Sequence, residues 1–424
     1  MKGFVISWFF PPINSSEGLV TFKLLKNSKY DYDVYTQSAN KTWSYDTNET
    51  KLVSDNINNL NLDDEKVTYQ QWINNGIEYF DKNSKKYDFI MSRSMPPESH
   101  EMALKIKEKH PNKLWIASFG DPIANNPYNE LYKDKSPYSL EGQQFEYIPI
   151  KSIISPVRIL KNIIWKARKF KYNLKNDVLK KHCEVEDKTI LNADVLIFNN
   201  RFQYEHMLKG YDDSIRKKAI IIPHTFDKEF YGQVKKSENN KIVIRHLGHL
   251  DLTRTPITFL KAIQRLKEND KDLSEKLVVE LYGDVADKDK LYIIDNELYD
   301  IVKVKKPVTY FESLRLMQES DLLLLVDANL TNVIDKNIFF AAKISDYIGS
   351  GTNIFGITMV DGPSSDILKE TNGIQSSYSP DEIYMKLKKI IDTRKIPEQK
   401  NADNYNIKNV VGVYDNLIEK KIKG

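Results

Sequence analysis

The sequence predicts an α/β protein made of two doubly wound parallel-sheet domains. Three observations carry this. Short apolar strands recur along the chain with helical stretches between them, the alternation that yields parallel sheets. The chain has 424 residues, beyond the size at which a single core stops growing. A polar hinge at Lys235–Asn240 separates two halves that repeat the same alternation.

Gly3–Phe9 is a continuous apolar run of the kind found in buried parallel strands. It leads through Phe10-Pro11-Pro12 and a small-residue loop into a helix predicted over Leu19–Asn27. Further strands are expected at Tyr32–Tyr35, Phe89–Ser92, Leu114–Ser118 and Val195–Asn199, with helices such as Pro97–Lys109 between them. Ligands of open α/β sheets sit beyond the carboxyl ends of the strands. A site on this half is therefore expected among the loops 11–18, 93–98, 119–128 and 199–204. In the third, Gly120-Asp121-Pro122 presents a carboxylate on a stiff turn. Asp121 can bind hydroxyl groups or take a proton there, or it can serve only as an Asx-turn for local backbone.

Lys151–His182 departs from the pattern, with ten Lys and Arg against one acid, Asp177, and with Ile153, Ile154, Leu160, Ile163, Ile164 and Trp165 among them. An anionic membrane surface attracts such a segment by about 1 kcal/mol per cation. A helix packed on its own domain and a nucleic-acid patch use the same residues. The expectation adopted is membrane contact.

The second half opens after Ile220–Pro223, and Lys241–Leu266 is its most informative stretch. A strand over Lys241–Leu247 meets Gly248. A polar loop then ends in Thr255, a good N-cap, and Pro256, a good first helical residue, before the apolar run Ile257, Leu260, Ile263 and Leu266. Free N–H groups and the helix dipole at such a turn make an anion site. His249 and Arg254 flank it, so a phosphate or diphosphate is the ligand it suits. An ordinary turn with a surface arginine has the same residues. Strands follow at Leu277–Tyr282, Ile301–Val304, Leu322–Val326 and Asn353–Ile357, with a helix over Phe339–Ile348 that stops at Gly349-Ser350-Gly351. Lys343 and Asp346 share one face of that helix, either toward a ligand or as a surface ion pair. Asp403–Ile422 reads as a last helix after a polar linker.

Composition bounds the rest. A net charge of +4 over this length does not suggest a nucleic-acid binder, and the single Cys183 excludes an intramolecular disulfide and fits a reducing compartment. The apolar start breaks at Pro11-Pro12 with no small-residue cleavage site, and no apolar run is long enough to span a bilayer. The expected location is the cytoplasm, with any membrane contact peripheral.

Five pieces, in order, carry a family resemblance over nearly the whole chain. They are the first strand into Phe10-Pro11-Pro12; Pro223-His224-Thr225-Phe226-Asp227; Leu247-Gly248-His249-Leu250 with Arg254; Val308–Leu314 before Asp321-Leu322-Leu323-Leu324; and Ala342–Gly351. Their order resembles that of GT-B glycosyltransferases, specifically the retaining family-4 type. The resemblance implies two Rossmann-like domains facing across a cleft: 1–223 for the acceptor, with the basic insertion 151–182, and 224–402 for a nucleotide sugar. It also implies a helix, 403–424, that crosses back to the first domain.

It implies a donor diphosphate on the Gly248 loop with His249, Arg254 and Lys343, a base near Thr309 and Tyr310, and ribose hydroxyls on Asp346. The acceptor would lie across the cleft near Ser15, Ser16 and Gly18, with Asp121 as the acceptor-side or sugar-contacting carboxylate. No metal and no cofactor is implied beyond the donor, for which a UDP-sugar is the first expectation. The acceptor would be a lipid-linked glycan of cell-surface polysaccharide assembly, such as capsule, exopolysaccharide or an O-antigen-like polymer. The alternatives are transfer to a soluble or protein acceptor and an inactive, nucleotide-sugar-binding partner subunit.

The chain departs from the family at His249, where an arginine is usual, at Arg254 in place of a lysine, and at Ile338 and Asp346 in place of two glutamates. Ser15-Ser16 stands where the family has a glycine pair. Asp-x-Asp triplets at 31–33 and 287–289, the mark of metal-dependent transferases of another fold, read as surface turns.

Overall fold

The structure, a computed structural model, describes residues 1–13, 15–37, 52–60, 63, 67–128, 178–235, 240–250 and 253–423. Among these residues two parallel sheets organise it. The first takes its seven strands from the N-terminal half: β1 (Lys2–Ile6), β2 (Asp31–Tyr35), β3 (Ile57–Leu60), β4 (Phe89–Arg93), β5 (Leu114–Ser118), β6 (Val195–Phe198) and β7 (Ala219–Ile221). They lie in the order β3-β2-β1-β4-β5-β6-β7. The second has six: β8 (Ile242–Leu247), β9 (Leu277–Tyr282), β10 (Val302–Lys305), β11 (Leu322–Val326), β12 (Ile354–Ile357) and β13 (Ile374–Ser376). Their order is β10-β9-β8-β11-β12-β13. In both sheets the order reverses beside the first strand of the half, which opens a crevice at the carboxyl edge. The two crevices face each other.

The helices that cover the first sheet are α1 (Ser16–Asn27), α2 (Tyr69–Asn83), α3 (Glu98–Lys109), α4 (178–192), α5 (Arg201–Met207) and α6 (Asp213–Arg216). Those of the second half are α7 (Ile257–Asn269), α8 (Lys271–Ser274), α9 (Asp287–Asp295), α10 (Tyr310–Gln318), α11 (Lys343–Gly349), α12 (Pro363–Glu370) and α13 (Pro380–Thr393). The last helix, α14 (Ile407–Lys423), belongs in space to the first half. Asp415 on it accepts from the Ser28 hydroxyl (2.6 Å) and the Lys29 N–H (3.1 Å), and so closes the C-terminal end of α1. Tyr30 donates to the Asp415 carbonyl (3.0 Å). The chain reaches α14 alongside the hinge, where Phe226 and the Tyr405–Ile407 segment exchange backbone hydrogen bonds of 3.0 and 2.9 Å. One apolar cluster therefore runs from Val5 and Phe22 through Phe226 and Phe230 to Leu314 and Ile344, with Ile407, Val410 and Tyr414 packed into it.

Several expectations need correction. The first strand stops at Ile6, and just beyond it the Ser7 hydroxyl bonds the Phe9 carbonyl (2.8 Å). The helix expected from Phe339 begins only at Lys343. Phe339 and Phe340 are drawn across the cleft instead, against Tyr128 (ring centroids 4.5 Å apart) and His224 (4.8 Å). Thr255 does not cap α7 as its N-cap residue: Pro256 does, its carbonyl accepting from Leu260 N–H. The Thr255 hydroxyl donates to the buried carboxylate of Asp289, at about 3 Å from each oxygen, while accepting from the Ile257 N–H. Neither Asp-x-Asp triplet is a surface turn. Asp31–Asp33 begins β2, where buried Asp33 takes Lys2 (2.8 Å) and the Tyr87 hydroxyl (2.7 Å), and Asp287–Asp289 is the first turn of α9.

The basic segment lies outside the described residues as far as Asp177. Its last residues open α4, where Lys181 pairs with Glu101 (2.9 Å) and His182 meets Glu98 (3.1 Å), both on α3. Among the described residues no helix is long and apolar enough to cross a membrane.

Candidate active site

A cleft of about 480 Å³ lies between the carboxyl edges of the two sheets. That is room for a ligand of nucleotide-sugar size.

The second domain supplies one wall. β8 ends at Gly248, whose φ of +121° is open to glycine at little cost. Gly283, at the end of β9, has a φ of +120°, and a Cβ there would stand 2.4 Å from the Gly248 carbonyl oxygen. The two turns can approach this closely only because residue 283 is glycine. Behind them is Lys343, the first residue of α11, whose ammonium lies where a Cβ on Gly248 would be 2.8 Å away. Arg254 comes forward from the loop before α7 to line the same space. His249 sits at the rim, three-quarters exposed, its Nδ1 3.1 Å from the Asp284 carboxylate. A lysine and an arginine thus converge beside the glycine turn, cations that suit a diphosphate.

Farther along the same wall are Tyr282, Pro307, Val308 and Tyr310, an apolar and aromatic slot beside Asp346. Asp346 does not pair with Lys343. Its Oδ1 accepts from Lys23 of α1 (2.8 Å) and from the Tyr310 hydroxyl (3.1 Å). Lys23 is 2% exposed, so this is a buried ion pair that joins the two domains across the floor of the cleft.

The first domain supplies the facing wall with Ser16, Glu17, Leu19, Val20 and Asp121. The Asp121 turn is held from outside itself. Gly120 donates its N–H to Ser94 Oγ (2.9 Å), and its carbonyl accepts from Asn199 (2.8 Å) and Gln203 (2.7 Å). The N–H groups of Ile123 and Ala124 donate to the buried carboxylate of Glu186 (2.7 and 3.0 Å). Among the described residues the Asp121 carboxylate accepts no hydrogen bond from its own turn, so an Asx-turn is not what fixes it. Desolvation in the cleft wall pushes its acid up to about 6, with the Glu17 carboxylate adding to the rise and Arg254 and Arg93 opposing it. Glu17 is itself tied to Arg93, at 2.7 Å from Nε. An aspartate poised near neutrality in a ligand-sized cleft can exchange a proton with a hydroxyl group.

The cleft brings together Ser16, Asp121, Gly248, His249, Arg254, Tyr310, Lys343 and Asp346 of the residues singled out from the sequence. It does not include Thr309, whose hydroxyl caps α10 by accepting from the Glu312 N–H (3.3 Å). Nor does it include Ser15, whose carbonyl starts α1, or Gly18, which packs against the backbone of Phe9 and Phe10.

Four participants escaped the sequence reading: Glu17, Lys23, His224 and Gly283. Lys23 carried a usable signal, since it stands seven residues after Ser16 and on the same helical face as Leu19 and Val20, where an apolar residue belongs. His224 is buried against Phe340 and held neutral by desolvation, with Arg93 and Lys23 adding to the effect. The sequence reading names it only within the Pro223–Asp227 piece and gives its ring no role. Among the described residues no group of three or more His, Cys, Asp or Glu is placed to hold a metal ion.

No family model matches the chain in sequence, and no curated protein does. Solved structures match over its whole length. A sucrose-phosphate synthase from Thermosynechococcus elongatus superposes with a TM-score of 0.65 at 11% identity, covering 100% of this chain and 99% of that one. The E. coli trehalose-6-phosphate protein bound with UDP-2-fluoro glucose gives 0.59 at 10%, covering 100% and 98%. The lipopolysaccharide outer core galactosyltransferase WaaB gives 0.60 at 10%, covering 99% and 100%. At such identities the likeness is one of fold. The chain has the GT-B architecture, two Rossmann-like domains facing across a cleft.

Proposed function

We propose that this chain is a glycosyltransferase of the retaining family-4 type, which moves a sugar from a nucleotide-sugar donor to a lipid-linked glycan acceptor in cell-surface polysaccharide assembly. The observation that carries the proposal is the meeting in one cleft of Gly248, Lys343 and Arg254 from one domain with Asp121 from the other. In this reading the diphosphate lies on the Gly248 turn, and the nucleoside fills the slot of Tyr282, Val308 and Tyr310. The sugar then falls between Arg254, Phe340 and Asp121. The bond from the anomeric carbon to the diphosphate breaks, and the pair of electrons leaves with the phosphate. Lys343 and Arg254 stabilise the charge that develops there. The acceptor hydroxyl oxygen forms the new bond, and its proton passes to the departing phosphate or to Asp121. That matched structures include a sucrose-phosphate synthase and a galactosyltransferase supports transfer, and a neighbour bound with UDP-2-fluoro glucose supports a UDP-sugar as the first donor to try. Peripheral contact with the inner face of the cell membrane through 151–182 completes the proposal, on the charge and apolar content of that segment.

The test is a thermal-shift screen of UDP-, GDP- and dTDP-sugars against the protein and Arg254→Ala. A ligand that binds only the folded state raises the melting temperature. One nucleotide class is expected to do so, with the shift lost in the variant. A folded protein that responds to none of them would sink the donor site; one that binds a donor but does not hydrolyse it points to the inactive partner subunit. Sedimentation with anionic vesicles, reduced when Lys166, Arg168 and Lys169 are changed to glutamine, checks the lipid-linked acceptor; indifference of binding to those changes points to a soluble one.

A further inference from the structure

β8 enters the glycine turn as His246-Leu247-Gly248, and His246 is completely buried. A histidine on a central parallel strand, where apolar residues are the rule, needs partners for both ring nitrogens. It has them. Nδ1 lies 2.8 Å from the Leu324 carbonyl oxygen on the adjacent strand β11, and Nε2 lies 3.2 Å from the ammonium of Lys343. A carbonyl only accepts and an ammonium only donates. The proton therefore belongs on Nδ1, and the lone pair of Nε2 receives a proton of Lys343. The His249 carbonyl is also near the ring, but a doubly protonated imidazole would place a second cation beside Lys343 in a desolvated site. Burial first, and the Lys343 charge second, hold the ring neutral.

We propose that His246 is a positioning residue: anchored by the Leu324 carbonyl, it fixes the Lys343 ammonium over the Gly248 turn, where that ammonium meets the diphosphate of the donor. A lysine carries its charge on a flexible four-carbon stem and needs such a fixed acceptor if it is to wait in one place for the phosphate. The inference rests on the donor site proposed above.

The experiment compares, by titration calorimetry, the binding of UDP, GDP and dTDP with that of the corresponding nucleosides. His246→Phe keeps a ring of similar size and removes the lone pair. It is expected to weaken nucleoside diphosphate binding about tenfold, the effect of one misplaced charge-assisted contact. Nucleoside binding should stay within about twofold, since the nucleoside does not reach Lys343. Lys343→Met should lose at least as much, and the double variant no more than Lys343→Met alone, as required of a residue that acts through another. His246→Gln, which returns an acceptor near the Nε2 position, should recover part of the loss. Additive losses in the double variant, or an equal loss of nucleoside, would overturn the inference. A wild-type protein that binds no nucleoside diphosphate removes the donor site and the inference together; one that binds it equally well as His246→Phe removes only the inference. Should His246→Phe fail to fold, the imidazole ¹⁵N spectrum of the wild type decides. One neutral tautomer with the proton on Nδ1, and an Nε2 signal that moves in Lys343→Met, is expected. A proton on Nε2, or an Nε2 signal indifferent to Lys343→Met, overturns it.

Discussion

At the scale of single residues, Asp121 carries the sharpest prediction, because its charge has consequences for both chemistry and stability. Its acid is pushed up to about 6, by desolvation first and by Glu17 second, whereas an aspartate in an unfolded chain ionises near ~4. Between those values the folded chain binds a proton that the unfolded chain has lost. Stability therefore falls as pH rises from about 4 to about 6, and the penalty persists above that range. Asp121→Asn should be more stable than the wild type by about 1–2 kcal/mol near pH 7.5, once the shift is discounted for the half-open cleft, and no more stable below about pH 4. Urea denaturation at the two pH values checks this. The same variant should bind nucleoside diphosphate unchanged and transfer about 10²-fold more slowly if the carboxylate handles the acceptor proton. Asp121 was legible in the sequence as a carboxylate on a stiff turn. Its partner Glu17 was not, because only the fold brings the start of α1 to the end of β5.

Elements decide how the two halves of the cleft are coupled. α1 ends its apolar face with Lys23, and α11 offers Asp346, so that a buried ion pair of 2.8 Å crosses from domain to domain. Removing one partner of a buried pair leaves the other charge without compensation, at a cost of about 3–5 kcal/mol. Lys23→Met should fall at the low end of that range, because the Tyr310 hydroxyl still donates to Asp346 (3.1 Å). Lys23→Met combined with Asp346→Asn should recover most of the loss, which equilibrium unfolding of the single and double variants will show. The sequence places Lys343 and Asp346 on one helical face, and the structure keeps them there. It assigns them to different partners, since a helix face says which residues are neighbours and not what stands opposite.

For the whole molecule, the decisive feature is that the last helix completes the first domain. α14 closes the end of α1 through Asp415 and buries Tyr414 and Ile418 in the cluster that continues through the hinge. A chain ending at Asn406 would expose that cluster and leave Ser28 and Lys29 without the Asp415 carboxylate. It should lose cooperative unfolding of the first domain and lower the melting temperature by roughly 10 °C or more, on a scale of about 2–4 °C per kcal/mol for domains of this size. A scanning calorimetry trace unchanged by the truncation would contradict this. Crossing back of this helix follows from the family resemblance noted in the sequence, and the Asp415 cap that holds it was not visible there.

The sequence by itself determined the alternation of strands and helices, the division into two halves, the glycine turn after β8 and the cations near it. These are local matters: hydrophobic period, turn chemistry and residue type are written within a dozen residues of one another. The edge strand Ile57–Leu60 escaped because its two asparagines hide the apolar alternation, and Ile374–Ser376 because three residues carry no period. Only the tertiary structure decided that Phe339 and Phe340 leave their helix to meet Tyr128 and His224, that Asp346 belongs to Lys23, and that Lys343 rests on His246. Each of these contacts joins residues far apart in the chain. Burial shifts the charge of Asp121, His224 and His246 only once such a contact has removed water, and no stretch of sequence contains that event.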